Sequence, residues 1–190
     1  MTAPIQIVDL DGPSAWAAIG ALADVLIDCV ERGASVSFMT PLSRERAEAF
    51  WGEVAEGVAR GERILLAAES EGRIVGTVQV VFAGPENQPH RADIAKTLVH
   101  GDARRRGLGE ALMRAAETAA LAAGKTLLVL DTVTGGDAER LYARLDWVRV
   151  GVIPAYALWP DGRPCDTTVF FKALEEKSPA PVDPQACRAI

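Results

Sequence analysis

Three consecutive arginines, Arg104, Arg105 and Arg106, stand directly before Gly107-Leu108-Gly109, where a strand-like run ending near Val99 gives way to a helical one. A helix N-terminus carries four backbone N–H groups without intrahelical partners and the positive end of the macrodipole, so it attracts anions. Glycines at 107 and 109 remove side chains that would hold an anion away from those groups. The guanidinium groups add long-range attraction and bidentate contacts. The chemistry this loop offers is the binding of a small anion at a helix mouth.

Composition narrows the kind of anion. The chain has 190 residues, 49% hydrophobic and 24% charged, which suits one globular domain with a proper core. Its formal net charge is −6, whereas a general nucleic-acid binder is normally basic. The arginines are thus a local feature on an acidic background, and they suit a small anionic ligand with no nucleic-acid partner. Cys29, Cys165 and Cys187 are odd in number and lack metal-ligand spacing, so reduced thiols and no metal are expected. The N-terminus lacks the basic-then-apolar order of a secretory signal, and no apolar run reaches the roughly 18 residues of a membrane span. A cytoplasmic location with no membrane partner is the expectation, as monomer or homodimer.

The elements that must position the loop are legible from periodicity. Residues 5–10 read as a short strand, and Pro13-Ser14 opens a helix with Trp16, Ile19, Leu22, Leu26 and Val30 on one face, closed by Gly33. A Pro-containing link over 36–42 leads to a second helix carrying Ala47, Phe50, Trp51, Val54 and Val58. Two strand-like runs flank Glu71-Gly72, a hairpin signal, and A-D-I-A-K-T-L-V-H is a third strand. After the arginine loop, Leu108, Leu112, Ala115, Ala119 and Ala122 mark a helix ending at Gly124, and residues 126–131 form a buried strand. Helix and flanking strands make a β-α-β unit with a parallel pair. Thr134 is expected to cap a short helix through Leu145, and V-R-V-G-V-I-P and T-T-V-F-F-K-A form the last two strands. A single domain over 1–174 and a loosely ordered, Pro-rich tail over 175–190 follow.

This order of elements, with Arg104-Arg105-Arg106-Gly107-Leu108-Gly109, resembles the GCN5-related N-acetyltransferases (GNAT), whose acetyl-CoA signature is R/Q-x-x-G-x-G/A. The segment H-R-A-D-I-A-K-T-L-V-H-G-D-A-R-R-R-G-L-G-E-A-L-M and the preceding P-E-N-Q-P are similar to the branch containing the tabtoxin-resistance acetyltransferase. The resemblance implies an α/β (α+β) fold: a mixed, mostly antiparallel sheet with a splayed parallel strand pair, flanked by helices. It also implies acetyl transfer from acetyl-CoA, as cosubstrate, to a primary amine of a small molecule, and the branch resemblance implies an amino-acid-like toxin or antibiotic as that molecule. Arg104, Arg105, Arg106, Gly107, Leu108 and Gly109 would hold the diphosphate, and the backbone of Leu98, Val99 and His100 the pantetheine arm and thioester oxygen.

In the same resemblance Leu141-Tyr142 matches the family's L-Y, whose hydroxyl lies near the cofactor sulfur. Tyr142 is then the general acid. Asp93 and Asp131, at the ends of the two splaying strands, are candidates for general base or for holding a cationic substrate. His90 and His100 are alternative bases, with surface roles favoured for both. Phe38, Met39, Tyr156 and Trp159 are candidate pocket walls, and Trp51 fits the core better. Three departures from the family pattern stand out: Gly135 replaces an asparagine that contacts the cofactor, Asp146 a helix-terminating glycine, and Asp102 a frequent proline.

Other readings fit less well. Asp131 lies about 20 residues past the glycines, as in dinucleotide-binding folds, but the third glycine of that fingerprint falls on Leu112. A coenzyme A sensor or inactive relative, and an acetyltransferase of a protein amine, remain as alternatives.

Overall fold

The computed structural model describes residues 5–175. Gln6–Asp9 (β1) leads into Gly12–Ala17 (α1), whose first turn holds Pro13 and whose N-cap, Asp11, accepts the Ser14 N–H at 2.9 Å. The single long helix expected here breaks at Ala18, and Ile19–Glu31 (α2) follows. Its apolar face, Leu22, Val25, Leu26, Cys29 and Val30, is buried as the spacing predicts. Trp16 does not follow that face inward. It is 49% exposed, its ring edge resting against Gly52 of the third helix, Arg44–Ala59 (α3).

Arg63–Ser70 (β2) and Arg73–Phe82 (β3) form the expected hairpin. Its turn residues Glu71 and Gly72 both have positive φ, 54° and 72°, the twist that suits a two-residue hairpin. Arg91–Val99 (β4), Leu108–Ala122 (α4), Leu127–Val133 (β5), Asp137–Arg144 (α5), Val148–Leu158 (β6) and Pro164–Ala173 (β7) complete the chain. The seven strands are ordered β1-β2-β3-β4-β5-β7-β6, with β4–β5 the parallel pair and every other pairing antiparallel. One core lies between the sheet and α4 and α5, around Leu112, Met113, Leu128 and Phe170. The other lies between the opposite face and α1–α3, around Leu22, Leu26, Trp51 and Leu65.

Two irregularities shape the centre of the sheet. Thr77 pairs with Leu98 and Gln79 with Ala95, so Val78 alone opposes Lys96 and Thr97. This is a β-bulge, and it reverses which face successive side chains take. Ala92 and Ile94 therefore enter the core beneath α4, whereas Leu98 enters the core beneath α1–α3. Second, β4 and β5 pair only over Arg91–Leu127, Ala92–Leu128 and Asp93–Val129. Beyond Asp93 the two strands part, and the sheet opens into a V.

Two local expectations are corrected. Thr134 does not cap α5: its hydroxyl bonds Thr168 of β7 at 2.8 Å, and Gly136 is an N-cap without a side-chain acceptor. Glu139 instead reaches back to the Gly135 N–H, because β7 competes for the threonine. The sixth strand runs past Pro154 to Leu158, through an irregular stretch with Ala155 at φ 50°, so Tyr156 lies in a strand and not between strands. The tail expected at 175–190 lies, apart from Glu175, outside the described residues, as does Cys187.

Candidate active site

The arginine loop begins where β4 ends. His100 gives its N–H to the Val75 carbonyl at 2.9 Å, and residues 101–103 make one 3-10 turn. From α2, Asp28 holds this turn: its Oδ2 accepts the Gly101 N–H at 2.7 Å, its Oδ1 accepts Arg32 Nε at 2.8 Å, and His100 Nε2 lies 3.6 Å away. Burial pushes the Asp28 pKa up, but the Arg32 and Gly101 hydrogen bonds and the charges of His100 and Arg32 outweigh it. The carboxyl is held below its ordinary range.

The three arginines then diverge. Arg104 folds back, its Nε on the Val99 carbonyl at 3.1 Å and its Nη2 3.9 Å from the Cys29 sulfur. Arg105, with φ 61°, extends outward with its side chain 85% exposed and Nη2 3.4 Å from Asp137. Arg106 reaches the Ser70 hydroxyl at 3.5 Å. Gly107 follows with φ 78° and open space where a Cβ would stand. It is the N-cap of α4 and offers no side-chain acceptor, and the first helical bond runs from Ala111 N–H to the Gly107 carbonyl. The N–H groups of Leu108, Gly109 and Glu110 therefore face out of the helix mouth. Gly109 serves packing as well, since a Cβ there would stand 3.0 Å from Leu141 Cδ2. The side chains of Leu98 and Leu108 are core residues, so only their backbone is available to a ligand.

Tyr142 sits on α5 with its ring centroid 6.0 Å from those of both Trp147 and Phe170. It is 5% exposed and lies near Thr97 of the β4 bulge, whose hydroxyl donates to Met113 Sδ at 3.5 Å. Burial, reinforced by the charge of Asp131, pushes the phenol up, and the opposing influence of Thr97 does not reverse it, so it stays protonated. The helix ends at Arg144, followed by Leu145 as C-cap, Asp146 at φ 62° and Trp147, whose N–H is on the Tyr142 carbonyl at 3.1 Å. This is a Schellman closure, with Asp146 in the left-handed position that glycine usually takes.

On the other side of the sheet, the α2–α3 link, β5 and β6 enclose a cavity of about 360 Å³. Phe38, Met39 and Tyr156 line it as the sequence suggests, and so do Ser35, Ser37 and Asp131. Trp159 is not among its walls, and Trp51 is buried core. Asp131 stands on β5 beyond the point where β4 departs, with Oδ2 accepting the Thr167 hydroxyl at 3.0 Å. Asp93 lies in the still-paired part of β4, its carboxylate 2.7 Å from Arg91 Nη1. The structure thus separates two carboxylates that the sequence treats alike. His90 is exposed at the turn before β4. Among the described residues no group of His, Cys, Asp and Glu is arranged to hold a metal, and no helix is long and apolar enough to cross a membrane.

Sequence reasoning did not single out Asp28, Ser37, Lys96, Thr97 or Thr167. Lys96 carried a signal, as a charge inside an otherwise apolar strand. The others become visible only once distant elements meet.

Residues 27–147 match the model of the acetyltransferase (GNAT) family. The chain belongs to this family. An uncharacterized N-acetyltransferase of Azospirillum brasilense, from the hisH-hisA intergenic region, is 34% identical over 112 residues, which are 58% of this chain and 65% of that one. The match therefore spans just under two thirds of that relative. The GNAT fold is shared with an N-acetyltransferase of Staphylococcus aureus Mu50 (TM-score 0.75, 16% identity, 91% of this chain and 100% of that one). It is also shared with yncA of Salmonella typhimurium, solved with its cofactor acetyl-CoA (TM-score 0.74, 18% identity, 93% of this chain and 98% of that one).

Proposed function

We propose that this GNAT protein is an acetyl-CoA-dependent N-acetyltransferase whose acceptor is a primary amine of a small molecule. The observation that carries the reading is the V between β4 and β5. The exposed N–H groups of α4 and the buried phenol of Tyr142 flank the V, and Asp131, on β5 beyond the parting of the strands, is a wall of the cavity. The resemblance to the toxin-resistance branch supports an amino-acid-like acceptor, and the acetyl-CoA bound to yncA supports the cosubstrate.

The residues present fit acetyl-CoA. Gly107 leaves the mouth of α4 open, three helical N–H groups point into it, and Arg105 lies beside it, which suits a diphosphate. The Val99 carbonyl and the His100 N–H are already engaged, so at Leu98–His100 the groups left for the pantetheine arm are on the side of β4 that β5 has left. When bound, the thioester supplies the acetyl group.

Acetyl transfer requires that the acceptor ammonium lose a proton, that the tetrahedral oxyanion be stabilised, and that the departing thiolate be protonated. Asp131, its Oδ1 free to accept, holds the ammonium in the cavity and takes its proton directly or through water. Backbone donors of β4 face the developing oxyanion. Tyr142, kept protonated by burial, directs its hydroxyl hydrogen at the sulfur as charge builds there. A thiol has an ordinary pKa near 8.5, so it needs little help to leave.

The test is acetyl transfer itself. Purified protein with acetyl-CoA and a library of primary amines should release coenzyme A thiol and yield products heavier by one acetyl group. Steady hydride transfer to a nicotinamide cofactor with no binding of acetyl-CoA would overturn the reading. Stoichiometric acetyl-CoA binding without turnover on any amine would favour a sensor.

A further inference from the structure

Lys96 plays no part in the chemistry above, yet the fold places it with care. It occupies the β4 bulge with φ 51°, a left-handed conformation unfavourable for any residue with a Cβ. Its ammonium donates to the Ser37 hydroxyl at 3.0 Å and lies 5.5 Å from the centroid of the Phe50 ring. Among the described residues it has no ion-pair partner, and Asp131 acts on it only through space. Burial lowers the lysine pKa and Asp131 partly restores it. A half-buried ammonium held by one hydroxyl and one ring has no negative partner in contact with it.

Ser37 connects this cation to the acceptor cavity. Its oxygen accepts from Lys96, which leaves its own hydrogen to donate into the cavity it lines. Asp131 is the acidic wall of the same cavity, with Thr167 occupying one oxygen and the other free. Phe38, Met39 and Tyr156 between them are uncharged. The cavity therefore has a donating corner at Ser37, with the Lys96 ammonium behind it, and an accepting, anionic one at Asp131.

We propose that Lys96 and Ser37 form an anion subsite of the acceptor pocket, and that the acceptor is an amine that also bears a carboxylate. Its ammonium sits at Asp131 and its carboxylate at Lys96 and Ser37. One ammonium and one hydroxyl match a monoanion, whereas a phosphate dianion calls for more donors, usually arginine. A volume of about 360 Å³ suits a small zwitterion. The inference rests on reading the Asp131 cavity as the acceptor pocket.

The experiment compares the standard α-amino acids, β-alanine and γ-aminobutyrate with their carboxamides. Thermal shifts are read in the presence of coenzyme A, which cannot transfer acetyl, and kcat/KM in the presence of acetyl-CoA. One or more acids should raise the wild-type Tm while the matching amides do not, and their kcat/KM should exceed that of the amides by about 10-fold or more, or 1.4 kcal/mol. Lys96→Met should bring the acid down to the level of the amide, Lys96→Arg should restore part of the preference, and Ser37→Ala should lose part of it. These results support the subsite even if turnover is absent, because binding is read independently. No carboxylate-dependent shift in the wild type, or a preference that persists in folded Lys96→Met, overturns it. Failure of the catalytic reading is recognised separately, as carboxylate-dependent binding with no acetylated product from any amine.

Discussion

Thr97, at the bulged end of β4, stands near enough to the phenol of Tyr142 on α5 to act on its ionisation. The approach depends on the bulge, because without the extra residue Thr97 would face the α1–α3 side of the sheet.

Tyr142→Phe keeps the ring against Trp147 and Phe170 and removes only that hydroxyl. Turnover should fall roughly 10- to 10²-fold, within the range of a general acid, with acetyl-CoA affinity changed by no more than a few-fold. Thermal unfolding should change by no more than about 1 kcal/mol, because the ring packing is kept. Single-turnover kinetics with an unchanged acetyl-transfer step would remove Tyr142 from the mechanism.

Asp131→Asn and Asp93→Asn should behave differently. If Asp131 takes the amine proton, its variant loses about 10²-fold or more in turnover, and the loss diminishes at high pH where free amine is abundant. If it only anchors the amine, KM rises and turnover is kept. Asp93→Asn breaks a part-exposed pair with Arg91, worth about 0–1 kcal/mol, and should leave both parameters unchanged. Equal effects from the two variants would refute the distinction.

The two glycines of the loop serve different ends. Gly107→Val must hold φ near 78°, at a cost of roughly 1–2 kcal/mol, and its side chain enters the helix mouth. Acetyl-CoA affinity by calorimetry should fall on the order of 10-fold or more, about 1.4 kcal/mol. Gly109→Ala meets only the terminal methyl of Leu141, which can turn aside, so folding should be nearly unaffected. Gly109→Val adds bulk beside the exposed N–H groups and should weaken binding as Gly107→Val does. Unchanged affinity in both folded valine variants would place the diphosphate elsewhere.

Asp28→Asn tests the clamp on the loop. The folded-state pKa of Asp28 lies below its ordinary 3.8, so the folded protein binds fewer protons there than the unfolded chain. Its stabilisation is complete above about pH 4 and is lost as pH falls through the depressed folded value. Wild type should therefore exceed the variant by about 1–3 kcal/mol at neutral pH, and the gap should close in acid. A gap independent of pH in denaturant titrations would show that the charge of Asp28 is not what matters.

Asp146→Gly should stabilise the protein. The residue pays for φ 62°, and glycine relieves that cost by roughly 1 kcal/mol. A rise in Tm of a few degrees is expected, whereas a lower Tm would mean that the aspartate makes a compensating interaction.

The sequence by itself determined the features that depend on near neighbours. The apolar spacing of α2, α3 and α4, the paired positive φ at Glu71-Gly72, and Gly107 at the head of α4 follow from backbone preferences and 3.6- or 2-residue periodicity, which act within a few residues. The parallel β4–β5 pair was legible too, since a helix of that length between two apolar strands returns the chain in the same direction. Only tertiary structure decided the rest. Arg104 turns inward because the Val99 carbonyl and Cys29 await it, and Thr134 leaves its helix because Thr168 lies beside it. Asp93 and Asp131 part company because β4 and β5 separate between their positions. Lys96 and Thr97 are sent to different surroundings by one unmatched residue opposite Val78. Apart from the nearby Val99 carbonyl, these outcomes depend on partners from other elements, whose positions the packing of the two cores sets, and no local pattern encodes them.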